Sequence, residues 1–410
     1  MIITGREVGP SNVIGNSKSR AKLIVPLVAS ALLAYASPAR AGDTIETNLV
    51  TDDQAFLTSL GYAPAAHVDS NLINPWGISH TATSPFWVSD NGTGVSTVYN
   101  ASGSLLLTVP IPAPAGLNSN PTGQVASTAF SQIGTPGTSS FIFDTEDGTI
   151  VARLGGGGNP TVVNVVVDNS GGPGSTTGAV YKGLAVGTVG GASCLYAANF
   201  RAGTVDVFDH NFQPVNSIIF TDPAIPAGYA PFNVQVLNGN LYVTYALQDG
   251  AKHDDVSGVG NGYVDEYNLS NGSLIAHIAS KGSLNSPWGL DLAPPGFGQF
   301  SNDLLVGNFG DGTIDAYDPN GLGFLGTLTD AFGNQIVIGD LWGLINGTGG
   351  ANGGDVNGVY FAAGVMDESH GLFGVLTVPE PASLALFAAG LIGIGAMRRR
   401  SKTITARVGR

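Results

Sequence analysis

Short apolar runs, separated by turns rich in glycine, recur along most of the chain. Each repeat opens with a phrase of the form small-Pro-aromatic-Gly-aliphatic, or with a shortened version of it. The six phrases are Asn74–Ile78, Asn120–Gln124, Tyr181–Leu184, Ala230–Val234, Ser286–Leu290 and Leu341–Leu344. The residues before each glycine, or their counterparts, are 76, 122, 182, 232, 288 and 342, so the repeat spans 46 to 60 residues.

Each repeat continues with the pattern of short antiparallel strands. A second apolar run such as Phe86–Asp90 is followed by a tight turn, clearest at Asp147-Gly148, where glycine accepts the positive φ of a two-residue hairpin. A third run follows, and a weaker fourth one, such as Ser104–Val109, closes most repeats. Four strands in roughly 50 residues are typical of a propeller blade. The sequence therefore predicts an all-β, six-bladed β-propeller of four-stranded antiparallel blades.

The last repeat lacks a clear fourth strand after Leu372–Leu376. Thr44–Val50 alternates between apolar and polar residues before the first repeat begins. We expect this segment to supply the missing outer strand and to close the ring. A seven-bladed ring is the alternative, but the chain contains no seventh phrase.

The N-terminal segment has the pattern of a secretory signal peptide. Three basic residues between positions 18 and 22 precede an apolar stretch over residues 23–35, and Ala39 and Ala41 form a small-x-small cleavage signature. We expect residues 1–41 to form a signal helix outside the propeller that signal peptidase removes.

The C-terminal segment combines Pro379-Glu380-Pro381, an uncharged apolar run over Leu384–Met397 and the cluster Arg398-Arg399-Arg400. As a helix the run would be about 21 Å long, which is short against a hydrocarbon core of about 30 Å. The arginines would hold the C-terminal end in the cytoplasm. A buried C-terminal helix is the alternative interpretation.

This C-terminal pattern resembles the PEP-CTERM sorting tail, also known as an ice-binding protein C-terminal segment. The resemblance implies recognition at Pro379, Glu380 and Pro381 and cleavage by an exosortase. The predicted domains are a signal peptide (1–41), a β-propeller (42–377), a sorting tail (378–402) with a transmembrane segment (384–397), and a cytoplasmic remnant (403–410). The protein would be anchored transiently in the inner membrane and then reach the cell surface or the medium.

The repeats contain several longer phrases, which are Phe86–Gly94, Thr145–Ile150, Tyr196–Asp209, Pro226–Phe232 and Leu305–Gly312. These phrases resemble an uncharacterised family of exported bacterial propellers, and more distantly the NHL and lactonase types. The resemblance spans roughly Thr44 to Val375 and implies fold and export, but no reaction.

Charge narrows the classes of partner. Residues 42–378 contain five basic and 28 acidic residues, a formal net charge of −23. Nucleic acid and anionic lipid would be repelled, whereas cations and neutral polysaccharide would not. Cys194 is the only cysteine, so no internal disulfide can form, and its apolar surroundings predict a small buried hydrophobe.

The equivalent positions of the six phrases should surround the ring axis. They include Trp76, Lys182, Phe232, Trp288 and Trp342. The aromatic residues would either pack as wedges between neighbouring blades or line an entrance for a sugar or another flat ligand, with Lys182 as its basic group.

Asp254 and Asp255 lie in the longest insertion within a repeat. Adjacent carboxylates suit Ca²⁺, although the spacing lacks the alternating oxygen ligands of an EF-hand and a solvated loop is the alternative. Glu146 and Asp147 lie at a hairpin turn, where Glu146 faces either solvent or the channel. The sequence contains no serine-hydrolase, P-loop, zinc or dinucleotide signature.

We therefore expect an exported binding or structural module at the cell surface or in the matrix, with exopolysaccharide as the partner that such tails imply. The alternative is a lactonase-like hydrolase or lyase with a metal in the central channel. That alternative requires at least three Asp, Glu, Asn or His groups within about 3 Å of a common point.

The sorting interpretation predicts the effect of Glu380→Ala. Folding should be unaffected because Glu380 follows the last predicted strand, whereas the protein should stay trapped at the inner membrane. Fractionation with intact-mass analysis measures this. Full-length protein, arginines included, in a stable outer fraction of an exosortase-bearing host would contradict the interpretation.

Overall fold

A computed structural model describes residues 43–132, 137–154, 163–321 and 323–379. These residues form six sheets whose strands pair antiparallel, apart from one short parallel strand at the outer edge of the sixth sheet. The innermost strands of consecutive sheets contact one another, and the sixth contacts the first. The predicted six-bladed propeller is confirmed. Ala39, Ala41, Glu380, Pro381, the apolar segment 384–397 and Arg398, Arg399 and Arg400 lie outside the described residues.

In blades 1 to 5 the strands run in chain order from the axis outward, and the N-terminal segment supplies the outermost strands of blade 6. Two strands precede the first blade, β1 (Ile45–Thr51) and β2 (His67–Val68). Blade 1 comprises β3 (Pro75–Ser79), β4 (Phe86–Asp90), β5 (Val95–Tyr99) and β6 (Leu105–Pro110). Blade 2 comprises β7 (Pro121–Ala126), β8 (Ser139–Thr145), β9 (Thr149–Leu154) and β10 (Asn164–Asp168). Blade 3 comprises β11 (Tyr181–Val189), β12 (Ala192–Asn199) and β13 (Thr204–Asp209).

The second half of the ring follows the same order. Blade 4 comprises β14 (Tyr229–Leu237), β15 (Asn240–Leu247), β16 (Tyr263–Asn268) and β17 (Leu274–Ser280). Blade 5 comprises β18 (Pro287–Leu292), β19 (Leu304–Asn308), β20 (Ile314–Asp318) and β21 (Gly323–Thr327). Blade 6 contains β22 (Leu341–Asn346), β23 (Val359–Ala363) and β24 (Leu372–Thr377). The helical elements are α1 (Gln54–Ser59), α2 (Gly350–Gly353) and a 3₁₀ turn at Gly298–Phe300.

The glycine of the repeated phrase is required where innermost strands of neighbouring blades meet. A Cβ atom on Gly77 of β3 would lie 2.6 Å from the carbonyl oxygen of Thr122 in β7. A Cβ atom on Gly343 of β22 would lie 2.5 Å from the carbonyl oxygen of Trp76 in β3. Any larger residue would push the two backbones apart, so the phrase is a packing signature of the ring.

Blade 3 has three strands where four were expected. The chain after β13 makes one bridge to it, between Phe208 and Pro214. Two bonds flank this bridge, from the Val215 N–H to the Val207 carbonyl and from the Asp209 N–H to the Gln213 carbonyl. Pro214 has no N–H to donate on the side away from β13, which disfavours pairing of a further strand there.

The N-terminal strand closes the ring as predicted. β1 pairs antiparallel with β24, from Ile45 opposite Thr377 to Thr51 opposite Leu372, with a bulge between Asn48 and Val50. It therefore provides the fourth strand of blade 6. The short β2 adds a parallel fifth strand on the outside, which was not predicted.

Apolar residues fill the spaces between blades. Cys194 is buried among Tyr196, Val207 and Val243, which confirms its expected role. Within the described part of the chain, no helix has the length and apolar character needed to cross a membrane.

Ring closure predicts the effect of Leu49→Ala. Leu49 is 7% exposed and packs with the apolar residues of blades 1 and 6, so truncation should lower the free energy of unfolding by about 2–5 kcal/mol. Ile45→Ala is the matched control, because Ile45 is on the same strand but 47% exposed, and should change it by about 0.5 kcal/mol or less. Denaturant unfolding measures both; equal losses would mean that closure does not depend on this packing.

Candidate functional site

The four aromatic residues predicted to surround the axis meet one another. Trp76 stacks on Trp342 with ring centroids 3.4 Å apart, and Trp288 meets both edge-on at 6.1 and 5.8 Å. Phe232 lies 5.8 Å from Trp342. Trp76 and Trp288, like Phe232 and Trp342, belong to blades that are not neighbours, so these contacts lie at the centre of the ring. The rings do not act only as wedges between adjacent blades, and all four are buried.

Lys182, the fifth predicted residue, is part of the same centre. Its side chain is 2% exposed, and its ammonium lies 5.0 Å from the centroid of Trp76 and 5.9 Å from that of Phe200. The Trp288 indole N–H donates to the Lys182 carbonyl at 2.9 Å. The structure therefore brings together all five residues that the repeated phrase singled out.

The Lys182 ammonium is paired with two carboxylates. It donates to Glu146, in the turn between β8 and β9, and to Asp254 Oδ1 at 3.2 Å, in the insertion between β15 and β16. Burial alone would lower the pKa of Lys182, but the charges of Glu146 and Asp254 outweigh burial and raise it. Lys182 is therefore a buried permanent cation.

His253 joins this charged group. Its Nδ1 lies 2.8 Å from Asp254 Oδ1, and its backbone N–H donates to the Asp249 carboxylate at 2.8 Å. The hydrogen bond to Asp254 raises the pKa of His253, and the same bond together with Lys182 holds the pKa of Asp254 well below its ordinary value. The side chain of His253 is half-exposed and that of Asp254 is exposed, so both face the open end of the ring.

Glu146, His253 and Asp254 offer ligand atoms that all lie within 4.8 Å of one another. Three atoms this close share a point within about 3 Å of each, which meets the distance criterion for a metal centre. However, the Lys182 ammonium already contacts two of the three groups. The cation that these carboxylates contact is therefore one that the protein itself supplies.

Asparagine side chains connect the aromatic centre to the charged groups. Asn91 Nδ2 donates to Glu146 Oε2 at 2.9 Å. Asn74 accepts from the Trp342 indole N–H at 3.0 Å and donates to Glu368 Oε2 at 3.2 Å. Asn74 and Asn91 therefore hold the carboxylates of Glu368 and Glu146 in fixed positions.

Glu368 is held at the site by an unusual loop between β23 and β24. Met366, Asp367 and Glu368 are consecutive left-handed residues, with φ of 65°, 52° and 62°. Such residues cost about 1–2 kcal/mol each, so the surroundings must stabilise the loop. His370 Nδ1 lies 2.7 Å from Asp52 Oδ2 and its ring stacks on Phe56 of α1 at 3.7 Å. The segment after β1 therefore holds the loop of Glu368 in place.

We call the polar side chains at this end of the ring the mouth. It consists of Lys182, Glu146, Asp254, His253, Glu368, Asn74 and Asn91. Asp255, the other residue predicted to bind metal, does not belong to the three-residue cluster and accepts from Ser257 Oγ at 3.0 Å.

Sequence reasoning left Glu146 open between solvent and the channel, and it did not assign His253, Glu368, Asn74 or Asn91 to the site. A signal did exist for two of them. Asn91 and Glu146 both follow the last residue of a second strand, and so does Phe200, which packs in the aromatic centre. Aligning this position across the repeats would have identified a second inward-facing ring.

A family model described as the PEP-CTERM protein-sorting motif matches residues 377–400. This confirms the motif and indicates an exported protein that is processed by an exosortase-type enzyme.

Two viral proteins are similar over most of the chain. Uncharacterized protein R648 of Acanthamoeba polyphaga mimivirus is 32% identical over 334 residues, covering 78% of this chain and 78% of its own length. Uncharacterized protein L690 of the same virus is 31% identical over 353 residues, covering 83% of this chain and 87% of its own length.

Among solved structures, a streptogramin B lyase aligns with 82% of this chain and 97% of its own, at 10% identity and a TM-score of 0.47. A virginiamycin B lyase from Staphylococcus aureus aligns with 82% of this chain and 99% of its own, at 12% identity and a TM-score of 0.44. The sequence identities and TM-scores are too low to transfer an activity from these enzymes to this chain.

The mouth predicts a pH dependence of stability. Burial, followed by the charge of Glu146, raises the pKa of Glu368 from 4.5 to about 7. Between these values the folded protein keeps a proton that the unfolded chain has released, so the free energy of unfolding falls as pH rises. Glu368→Gln should match the parent near pH 4.5 and exceed its stability above pH 7. Denaturant unfolding across this range measures the difference; parallel profiles would contradict the assignment.

Proposed function

We propose a binding function for this protein, which belongs to the same family as the mimivirus proteins R648 and L690. In this proposal it is an exported propeller that binds a neutral, hydroxyl-rich polymer, an exopolysaccharide, at the mouth of its ring. Bound to that polymer, it would act as a surface or matrix component.

The observation that carries the proposal is the convergence of loops from four blades on the mouth. Asn91 comes from blade 1, Glu146 from blade 2, His253 and Asp254 from blade 4, and Glu368 from blade 6. Carboxylate oxygens accept hydrogen bonds from hydroxyl groups, and an imidazole can donate or accept them. Because the side chains are already fixed by partners, little side-chain entropy would be lost on binding.

The charge of the mouth supports a neutral ligand. Of the five basic residues in 42–378, Lys182 is the one at the mouth, and its charge is neutralised by Glu146 and Asp254. An anionic polymer would meet the carboxylates of Glu146, Asp254 and Glu368, and the Lys182 ammonium is already paired. The aromatic residues are covered and would support the mouth from below instead of stacking on the sugar.

The sorting tail supports delivery to the place where such a polymer is found. We propose that signal peptidase cuts after Ala41 and that the segment 384–397 anchors the protein transiently in the inner membrane. An exosortase-type enzyme would then cleave near Pro379, Glu380 and Pro381. This would release the propeller of residues 42–377 to the surface or the matrix.

A second candidate function is hydrolysis or cleavage of the bound polymer by acid–base catalysis. One observation favours it: the pKa of Glu368, raised by burial to about 7, suits a residue that exchanges a proton near neutral pH. The metal-dependent form of this candidate has less support, because a metal between Glu146 and Asp254 would be repelled by the Lys182 ammonium.

Asp254→Asn tests the binding proposal. Asp254 is 66% exposed, and replacing its carboxylate should weaken binding to the host exopolysaccharide about 10-fold or more, as expected for the loss of a hydrogen bond to a charged group. Asp303→Asn is the matched control, because Asp303 precedes β19 at the opposite end of the ring and should leave affinity unchanged. Glycan arrays, matrix pull-down and titration calorimetry measure binding.

Two outcomes separate the alternatives. Absence of binding to every polysaccharide, or equal binding by the two variants, would contradict a polymer site at the mouth. Shortening of the polymer during incubation, lost in Glu368→Gln, would establish the catalytic candidate instead.

A further inference from the structure

A second group of charged side chains lies away from the mouth, on the outer strands of blade 4. Asp265 is on β16, His277 is opposite it on β17, and Asp222 comes from the connection between blades 3 and 4. His277 Nδ1 lies 3.0 Å from Asp265 Oδ1 and 3.1 Å from Asp222 Oδ2. The three ligand atoms all lie within 4.8 Å of one another.

The two carboxylates are deeply buried, whereas the imidazole reaches solvent. The side chains of Asp222 and Asp265 are 2% and 1% exposed, and that of His277 is 43% exposed. Burying two carboxylates side by side is unfavourable unless each oxygen is compensated.

Hydrogen bonds compensate three of the four carboxylate oxygens. Asp265 Oδ2 accepts from Tyr267 at 3.0 Å, and Asp222 Oδ1 accepts from the Ala224 N–H at 2.8 Å. The Nδ1 of His277 carries at most one proton, which Asp265 Oδ1 accepts. Asp222 Oδ2 is buried, points at this group and receives no hydrogen bond.

The equivalent position in blade 5 shows what a purely structural arrangement looks like. Asp315 on β20 corresponds to Asp265, and Thr327 on β21 corresponds to His277. Asp315 accepts from Thr327 Oγ1 at 2.7 Å and from Asn308 Nδ2 at 3.0 Å. Neutral donors therefore satisfy that aspartate. Blade 4 has a histidine at the position of this threonine and a second carboxylate beside it. Neither group is needed to satisfy the aspartate, as blade 5 shows.

We propose that Asp222, Asp265 and His277 form a binding site for a divalent transition-metal cation of the zinc class. One imidazole nitrogen and two carboxylate oxygens are ligands that Zn²⁺ accepts, and a three-residue set leaves a further coordination position for water. The cation would neutralise both carboxylates and bind Asp222 Oδ2, which accepts no hydrogen bond.

The surroundings of the site match those of a built metal centre. Tyr267 donates to the outer oxygen of Asp265, and its hydroxyl is 2.7 Å from that of Tyr245. Such contacts orient a ligating carboxylate. The metal would link the connection between blades 3 and 4 to the two outer strands of blade 4, at the place where blade 3 has no fourth strand.

Calorimetry and thermal unfolding of the full chain, freed of metal with a chelator and then titrated with Zn²⁺, test the site. The parent should bind Zn²⁺ and unfold at a higher temperature with it. His277→Gln should weaken binding by about 100-fold or more, since it removes a direct ligand. His210→Gln changes an exposed histidine of blade 3 and should behave like the parent.

Asp222→Asn separates a metal ligand from a structural residue. Without metal this variant should be at least as stable as the parent, because an uncompensated buried charge is removed, yet it should lose the response to Zn²⁺. His253→Gln tests whether the mouth binds the ion instead.

Three results would overturn the proposal: no binding of Zn²⁺ by the parent, equal affinity in the parent and His277→Gln, or loss of binding in His253→Gln alone. A metal-free Asp222→Asn protein markedly less stable than the parent would likewise show that the carboxylate is compensated without metal.

Discussion

The mouth depends on a lysine ammonium that is buried at the axis of the ring. A buried charge without a partner costs several kcal/mol, so Lys182 requires the carboxylates of Glu146 and Asp254 close by. That requirement fixes the turn of blade 2 and the insertion of blade 4. His253 is then held by Asp254, and Asn91 by Glu146. One charge thereby orders loops that contribute nothing to the core.

The aromatic centre makes this arrangement possible. Trp76, Trp288 and Trp342 fill the space that six innermost strands leave between them, and they exclude water from the ammonium. Low local polarity strengthens the ion pairs above them. The centre is also polar at its rim, because the indole groups of Trp288 and Trp342 donate to Lys182 and Asn74. Packing and electrostatics are therefore coupled at the axis.

The number of blades could be predicted from sequence because the glycine phrase repeats once in each blade. The closing strand could be predicted because Thr44–Val50 alternates between apolar and polar residues. The partners of Lys182 could not, because Glu146 and Asp254 are 36 and 72 residues away and approach only through the curvature of the ring. The loop of Glu368 had no sequence signature either. Its three left-handed residues have ordinary side chains, and the packing of Asp52 and Phe56 stabilises them.

Ring closure also constrains the order in which the chain can fold. Ile45 pairs with Thr377, so the first strand lacks its antiparallel partner until nearly the whole propeller has been synthesised. Contacts between residues so far apart in sequence form late, because closing the long intervening loop costs conformational entropy. Before β1 pairs with β24, the outer edge of blade 6 is unpaired. Leu49 and Val50 are then not yet buried against blades 1 and 6. A chain that is threaded through a membrane unfolded gains from this delay, because the compact ring cannot form before its last strand has emerged on the far side.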